Sequence, residues 1–131
     1  LPLIAEGEYG YKKVNVHDQM RDASSLLNWM ERIISARKEC LEFGWGDYEV
    51  VKTTNACVLA HACRWKNGYA LALHNLSDEE CTVEIELNVK EEPHLVEHFA
   101  DQAYDHFDWK DGKFNLRPFG YRWFRKSTIF L

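Results

Sequence analysis

The segment "HLVEH", from His94 to His98, has the residue types and spacing of a zinc-peptidase motif. In that motif the two histidines bind zinc and the glutamate, here Glu97, acts as the general base. The chemistry needs a helix, which places both histidines on one face, and a third ligand farther along the chain. In a strand the two histidines would stand too far apart to share one ion. We therefore predict that this segment holds no metal.

A second metal-binding pattern is formed by Cys57, His61 and Cys63, which alternate along one predicted strand. Alternation turns the three side chains to the same side of a sheet. One strand nevertheless spaces three ligands too widely for a single ion. The favoured interpretation is a buried histidine between packed thiols, and we predict neither a metal nor a cofactor in this chain.

The stretch "DQAYDHFDW" mixes acidic and aromatic residues and could hold two kinds of ligand. Calcium would be bound by three carboxylates, those of Asp101, Asp105 and Asp108. A sugar would be held by hydrogen bonds and by stacking on three rings, those of Tyr104, Phe107 and Trp109. The favoured alternative binds nothing: it is a solvated loop whose aromatic side chains are tucked beneath it.

The four cysteines, Cys40, Cys57, Cys63 and Cys81, indicate a reducing environment. None belongs to a C-x-x-C pair, and they lie within apolar patterns, as small buried hydrophobic residues do. We expect reduced thiols in a cytoplasmic protein rather than a disulfide framework. The glycosylation acceptor "NLS" at Asn75 would matter only in a secreted protein, so we interpret it as a strand end.

The composition limits the classes of partner. Hydrophobic residues make up 46% of the 131 positions, which is enough for a packed core, and the formal net charge is -5. No basic run or stripe is present in the sequence, so neither nucleic acid nor an anionic membrane is an expected partner. The apolar runs are far shorter than a membrane span. Because the sequence does not begin with Met, we expect it to be part of a longer chain.

An amphipathic helix is predicted around "SSLLNWMERIISARK", Ser24 to Lys38, with Asp22 as its N-cap. At about 100° per residue, apolar side chains cover half of its circumference, namely Leu26, Leu27, Trp29, Met30, Ile33, Ile34, Ala36 and Cys40. Arg37 points out of the middle of this arc, and a guanidinium buried there must be paired with a carboxylate. The arc is wider than one small sheet can cover. We therefore expect the uncovered part of the helix face to contact a second copy of the chain in a homodimer. Gly44 and Gly46 then end the helix.

After Tyr48 the hydrophobic period changes to two, which indicates strands. The segments in question are "YEVVKT", "ACVLAHACRW", "YALALHNL" and "ECTVEIEL", and Asn67-Gly68 is a strong hairpin signal. Short strands separated by turns predict a mainly β fold, an antiparallel sandwich or barrel preceded by one long helix. The stretch "EEPHLVEHFADQAYDHFDW", from Glu91 to Trp109, fits a helix and a strand equally well.

Three stretches, in this order, carry a resemblance to one enzyme family. They are "YGYKKVNVHDQMRDASSLLNWMERIISARKECLEFGWGDYEVV", "VLAHACRW" through "LALHNLSDE", and "GYRWFR". From Tyr9 to Arg125 the chain resembles the carboxy-terminal end of the trehalose synthases, which are maltose glucosyltransferases of the α-amylase family of glycoside hydrolases. The "SLLNWM" lead and the "FGWG" turn point to this group or to a close α-glucosidase relative.

The resemblance implies an architecture. Residues 1–45 would be a loop and the last helix of a truncated (β/α)₈ barrel, and the apolar face of that helix would cover barrel strands outside this chain. Residues 46–131 would be the carboxy-terminal β-sandwich of the family. The stretch "HLVEHF" would then be a strand.

The resemblance also implies a function. The parent enzyme would convert maltose to trehalose by retaining glucosyl transfer, or would hydrolyse α-glucosides. The nucleophilic Asp, the acid Glu and the stabilising Asp of the family lie on earlier barrel strands, and none of their motifs occurs here. We therefore expect no catalytic residue and no activity in this chain, whose partner would be the catalytic barrel. The alternative is a free-standing module that binds maltose or an α-glucan through Tyr104, Phe107 and Trp109.

Overall fold

The computed structural model describes residues 3–86, 94–105 and 111–126. Two compact units divide the chain, one from Leu1 to Glu39 and the other from Cys40 to Leu131. Three side chains considered above lie outside the described residues, namely Phe107, Asp108 and Trp109. Their contribution to a sugar or calcium site therefore stays a prediction.

The first unit contains two helices, α1 (Val16–Arg21) and α2 (Leu26–Glu39). Asn15 caps α1, because its side-chain oxygen accepts a hydrogen bond of 2.8 Å from the backbone N–H of Asp18. α1 is absent from the prediction because its 6 residues are too few to show a helical period. None of the helices in the described ranges is both long and apolar enough to cross a membrane.

α2 begins later than predicted, with Ser25 in place of Asp22 at its N-cap. The Ser25 hydroxyl accepts a hydrogen bond of 3.2 Å from the backbone N–H of Asn28 and donates one of 2.6 Å to the backbone oxygen of Gln19. Asp22 instead accepts hydrogen bonds from the backbone and the hydroxyl of Ser24. The predicted N-cap is wrong because α1 offers Ser25 a backbone acceptor, and the pattern of a single helix does not reveal this.

In the described part of the second unit, a short helix is followed by seven strands in two sheets. Their bounds are α3 (Leu41–Trp45), β1 (Asp47–Val51), β2 (Val58–Trp65), β3 (Gly68–Asn75), β4 (Cys81–Glu84), β5 (Leu95–Ala100), β6 (Lys113–Leu116) and β7 (Tyr121–Lys126). The strand order is β1-β2-β3-β7-β5 in the larger sheet and β4-β6 in the smaller one, with antiparallel pairs throughout. The prediction of a mainly β, antiparallel fold is confirmed, although α2 is accompanied by two shorter helices.

The two sheets enclose an apolar core. Val83 and Leu116 of the smaller sheet pack with inward-facing residues of β2, β3 and β7. Phe114 and Phe124 meet edge to face between the sheets, with 5.3 Å between ring centres. Full burial of side chains of this size is worth roughly 1.5–3 kcal/mol each, which makes the core a main source of stability. The predicted sandwich is thus confirmed, and the undecided stretch after His94 contains the strand β5.

The hairpin predicted at Asn67-Gly68 is present, but its glycine has a different role. Lys66 and Asn67 join β2 to β3, and Lys66 has the positive φ, 54°. Gly68 already lies in β3, where an added Cβ would overlap the carboxylate of Glu42. The glycine therefore makes room for α3.

Asn75, the first residue of the "NLS" sequence, is only 2% exposed and ties three segments together. Its side-chain nitrogen donates hydrogen bonds of 2.7 and 2.9 Å to the backbone oxygens of Glu79 and Arg117. Its side-chain oxygen accepts a hydrogen bond from the backbone N–H of Ser77. Asn75 is the last residue of β3, as the strand-end interpretation predicts. In the folded chain its nitrogen is not accessible for glycosylation.

A buried arginine, Arg122 on β7, lies between charged and aromatic neighbours and is 3% exposed. Its Nε donates a hydrogen bond of 2.7 Å to Oε2 of Glu97, and its guanidinium lies 4.4 Å from the ring centre of Tyr104. A guanidinium does not lose its proton on burial, so its charge must be neutralised where it lies. Glu97 on β5 supplies that charge and thereby links β5 to β7.

We expect Glu97→Gln to lower the free energy of unfolding by about 3 kcal/mol, because it leaves the charge of Arg122 buried without a counterion. Glu49→Gln is the matched control, since Glu49 and Arg64 form a pair of 3.5 Å whose side chains are 41% and 43% exposed. Loss of that exposed pair should cost less than about 1 kcal/mol. Urea unfolding followed by tryptophan fluorescence measures both variants. Equal losses would contradict the stated role of Glu97.

Candidate functional site

Tyr104, predicted to contact sugar, is used within the fold. Its hydroxyl donates a hydrogen bond of 2.7 Å to Oδ1 of Asp101 and accepts one of 3.1 Å from the backbone N–H of Arg117. The guanidinium of Arg122 covers one face of its ring. Burial is the main cause that raises the pKa of the Tyr104 hydroxyl, to about 12. A sugar contact at Tyr104 stays a prediction. Because Arg122 covers one face of the ring, a sugar could stack only on the other face.

The candidate metal ligands are not brought together in the described part of the chain. His94 is exposed and precedes β5, whereas His98 is half-buried within it. Cys57 is exposed in the turn before β2, and Cys63 is buried on β2. Among the residues described, no three His, Cys, Asp or Glu side chains are grouped so that they could hold an ion. No disulfide joins the four cysteines, all of which lie in the described ranges.

Arg37 is exposed on α2 rather than buried in an apolar arc. Apolar residues of the same arc are exposed too, with 66% for Leu26, 41% for Met30 and 46% for Ile34. Within the described ranges, no ion pair is formed at Arg37. An exposed guanidinium keeps its hydration, so it needs no counterion among the described residues. Pairing in a longer protein that covers the arc stays a prediction.

The larger sheet turns an aromatic face away from the core, and we call it the outer face. Val51 and Ala60 point into the core, so the residues next to them point outward. Rings from α3 and from all five strands meet there, namely Phe43, Tyr48, His61, His74, Phe99, Tyr121 and Trp123. Ring centres of neighbouring partners lie 5.2 to 6.5 Å apart. The outward face of an antiparallel sheet is usually polar, so this row of rings indicates a surface that is meant to be covered.

The rim of the outer face is apolar and exposed. Tyr48 and Val50 on β1 are each 62% exposed, Leu59 on β2 is 41% exposed and Val96 on β5 is 56% exposed. Contiguous exposed apolar surface of this kind is typical of a contact site. The sequence did not predict the outer face or its rim as a site. Of their residues, only His61 was considered, and only as a metal ligand. The available signal was that "ACVLAHACRW" and "YALALHNL" are apolar on both faces.

Helix α3 is fixed on the outer face by an ion pair whose carboxylate is buried and whose Arg125 side chain is 31% exposed. Glu42 is 5% exposed, and Nη2 of Arg125 donates to its two carboxylate oxygens at 3.1 and 3.2 Å. Phe43 packs edge to face against Trp123, with 5.3 Å between ring centres. A helix of 5 residues is not stable by itself, so these contacts hold it in place.

His61 and His74 stack in the middle of the outer face, with ring centres 6.0 Å apart and planes inclined by 5°. Burial lowers the pKa of both imidazoles, and the neighbouring His61 lowers that of His74 further. Burial, and then the carboxylate of Glu42, raise the pKa of the Cys63 thiol. At pH 7 the imidazoles are therefore neutral and the thiol is protonated. The outer face offers stacking surface rather than a nucleophile or a cation.

We expect the free energy of unfolding to fall as the pH drops below about 6.5, the pKa of an unperturbed histidine. His61 and His74 have a lower pKa in the folded chain, so the unfolded chain binds more protons in this range. Their contribution to stability is complete above that pH and is lost toward their lower, folded pKa values. The double variant His61→Phe, His74→Phe keeps two rings and removes both titrations. Its urea midpoint should change less between about pH 7.5 and 5.5 than that of the original chain, and an equal change would contradict this account.

Comparisons with known proteins agree with this fold. Residues 68–125, which run from β3 into β7, match the family model of the sucrose hydrolase-like C-terminal domain. A trehalose synthase of Pimelobacter sp. (strain R48) is 31% identical over 129 residues, which are 95% of this chain and 22% of that protein. A trehalose synthase of Thermus thermophilus is 28% identical over 132 residues, which are 98% of this chain and 13% of that protein. Most of each relative thus lies outside the part that this chain matches.

The crystal structure of Bacillus licheniformis trehalose-6-phosphate hydrolase has the same fold in the matching region. It superimposes with a TM-score of 0.72 at 16% identity, and the match covers 90% of this chain and 21% of that one. This likeness shows the fold alone. The C-terminal domain model and the trehalose synthase relatives identify the chain as part of the carboxy-terminal region of the trehalose-synthase-like enzymes of the α-amylase family.

Proposed function

We propose that this chain is the non-catalytic part of a trehalose-synthase-like enzyme and that its β-sandwich supports the catalytic barrel. The observation that carries the proposal is the coverage, since similarity runs over 95% of this chain but only 22% of the Pimelobacter protein. In the parent enzyme the reaction would be retaining glucosyl transfer from maltose to give trehalose, or hydrolysis of α-glucosides. The barrel, which carries the reacting groups in this proposal, is the partner.

The carboxylates of the described residues support a structural role. Retaining glycosidases place two carboxyl groups about 5 Å apart at the scissile bond. Four carboxylates of the second unit hold the fold: Glu42 binds Arg125, Glu49 binds Arg64, Glu97 binds Arg122, and Asp101 binds Tyr104. Carboxylates used in this way are not poised as an acid and a nucleophile.

We also propose that residues 1–45 belong to the barrel, with α2 as its last helix, and that residues 46–131 form the supporting domain. The exposed stripe of Leu26, Met30 and Ile34 supports this assignment, because positions four apart lie on one side of a helix. A barrel strand outside this chain would cover that stripe. The boundary between compact units falls earlier, after Glu39, because α3 packs on β2 and β3.

The isolated chain should form neither trehalose nor glucose from maltose above the buffer background, since it lacks the acid and the nucleophile of the family. Chromatography of the sugar products measures this, and the Pimelobacter enzyme is the positive control. Product that increases with the concentration of the chain would refute the proposal. Tryptophan fluorescence during a maltose titration should stay constant, whereas a saturable change would favour the free-standing sugar-binding module.

We predict that the 131-residue chain forms a homodimer at micromolar concentration, because a second copy can cover the exposed stripe of α2. Light scattering should give twice the monomer mass. Met30→Glu places a charge in the stripe and should give a monomer, whereas Ser35→Glu, at an exposed position of the polar side, should leave the dimer intact. A monomer mass for the unchanged chain would show that the stripe needs no partner.

A further inference from the structure

We propose that Cys57 and Cys81 are a redox-active thiol pair, which a low-molecular-weight disulfide converts reversibly into a covalent bond between the two sheets. Cys57 is exposed in the turn before β2 of the larger sheet. Cys81 is partly buried and is the first residue of β4 in the smaller sheet. Both thiols belong to this chain, so the pair does not depend on a catalytic barrel.

The backbone that leads to Cys57 pairs with the end of β4. Thr53 and Ile85 form an antiparallel bridge, which is flanked by two backbone hydrogen bonds of 3.1 Å. Cys57 follows Thr53 by four residues, and Cys81 precedes Ile85 by four. In an antiparallel register these two positions lie opposite each other, and the even number of steps turns both side chains to the same face. The register of the bridge therefore directs the two thiols toward each other.

A turn interrupts this register before β2, and a second contact holds Cys57 in place. The backbone N–H of Val58 donates a hydrogen bond of 3.1 Å to the backbone oxygen of Asn55 and closes the turn. The backbone oxygen of Cys57 accepts a hydrogen bond of 2.9 Å from Leu76, which begins the connection from β3 to Cys81. Cys57 is thus tied to the chain segments both before and after Cys81.

The titration of Cys81 agrees with this placement. Burial is the main cause that raises the pKa of its thiol, and negative charge at Cys57, and then at Glu80, raises that pKa further. A charge changes a pKa in this way only from a short distance, so the two sulfur atoms lie near each other.

The other two cysteines are shielded from solvent. Cys40 is 1% exposed and Cys63 is 4% exposed, so a disulfide in solution does not reach their sulfur atoms. Cys57 is therefore the thiol that reacts first, and Cys81 is its neighbour for the second step.

The exchange needs no reactant besides the disulfide, for which glutathione disulfide is the probe. The Cys57 thiolate attacks one of its sulfur atoms, the S–S bond breaks, and the first glutathione leaves as a thiolate that takes up a proton. Cys81 then loses its proton to water, and its sulfur attacks that of Cys57, which forms the internal bond and releases the second glutathione. Two protein thiols are oxidised, and one glutathione disulfide is reduced to two glutathione molecules.

The test incubates the reduced chain with glutathione disulfide at about pH 8, near the pKa of a free cysteine thiol, and measures the mass of the intact protein. The unchanged chain should lose two hydrogens and retain no glutathione, and dithiothreitol should restore its mass. Cys81→Ser should stop at the first step with one glutathione attached, whereas Cys57→Ser, at an exposed position, should form no internal disulfide. Cys63→Ala is the matched control and should react as the unchanged chain does.

Three results would contradict the proposal. The unchanged chain would retain a glutathione or stay unmodified if its two thiols did not meet or were not accessible. It would double its mass if the disulfide joined two copies. Cys57→Ser would still lose two hydrogens if the bond joined other cysteines, and this exposed substitution gives an answer even where Cys81→Ser does not fold.

Discussion

The ion pair between the buried carboxylate of Glu42 and the partly exposed guanidinium of Arg125 is the contact on which the candidate site depends. A carboxylate that is 5% exposed would be costly without a counterion, and Arg125 supplies two hydrogen bonds, at 3.1 and 3.2 Å. Gly68 leaves room for this carboxylate, since an added Cβ would force the Glu42 side chain to shift. With α3 held in this way, Phe43 contacts both His61 and Trp123. The shape of the outer face is thus set by one ion pair, one glycine and the rings above them.

Local signals in the sequence predict most of the fold. Alternating apolar residues locate the strands, and Asn67-Gly68 locates the hairpin, because both signals act between near neighbours in the chain. The strand order cannot be read in the same way, since β5 and β7 pair through residues distant in sequence. The buried arginine illustrates the difference. The apolar arc of α2 predicted that Arg37 is buried, but a helical pattern does not show what covers the arc. The arginine that is buried is Arg122, whose partner Glu97 lies 25 residues away in sequence.

The candidate site is less predictable because it is assembled from single residues. The loop with Tyr104 attracted attention since its acids and rings are adjacent in sequence, yet that proximity serves to fix the loop through Asp101. On the outer face each strand contributes one or two rings, and each ring alone resembles a core residue. The β2–β3 hairpin brings His61 next to His74, but only the sheet order places Phe99 next to Trp123, because β5 and β7 are distant in sequence. Knowledge of the pairing is therefore needed before this face can be recognised.

Hydroxyl-radical footprinting of the chain and of its variant Glu42→Gln tests most directly whether the ion pair holds α3 on the outer face. Phe43 on α3 is half-buried and reports on this contact, and Phe119, which is 66% exposed in the turn before β7, is the control reporter. Labelling of Phe43 should increase in the variant, while labelling of Phe119 stays the same. Equal labelling of Phe43 in the two proteins would contradict the account.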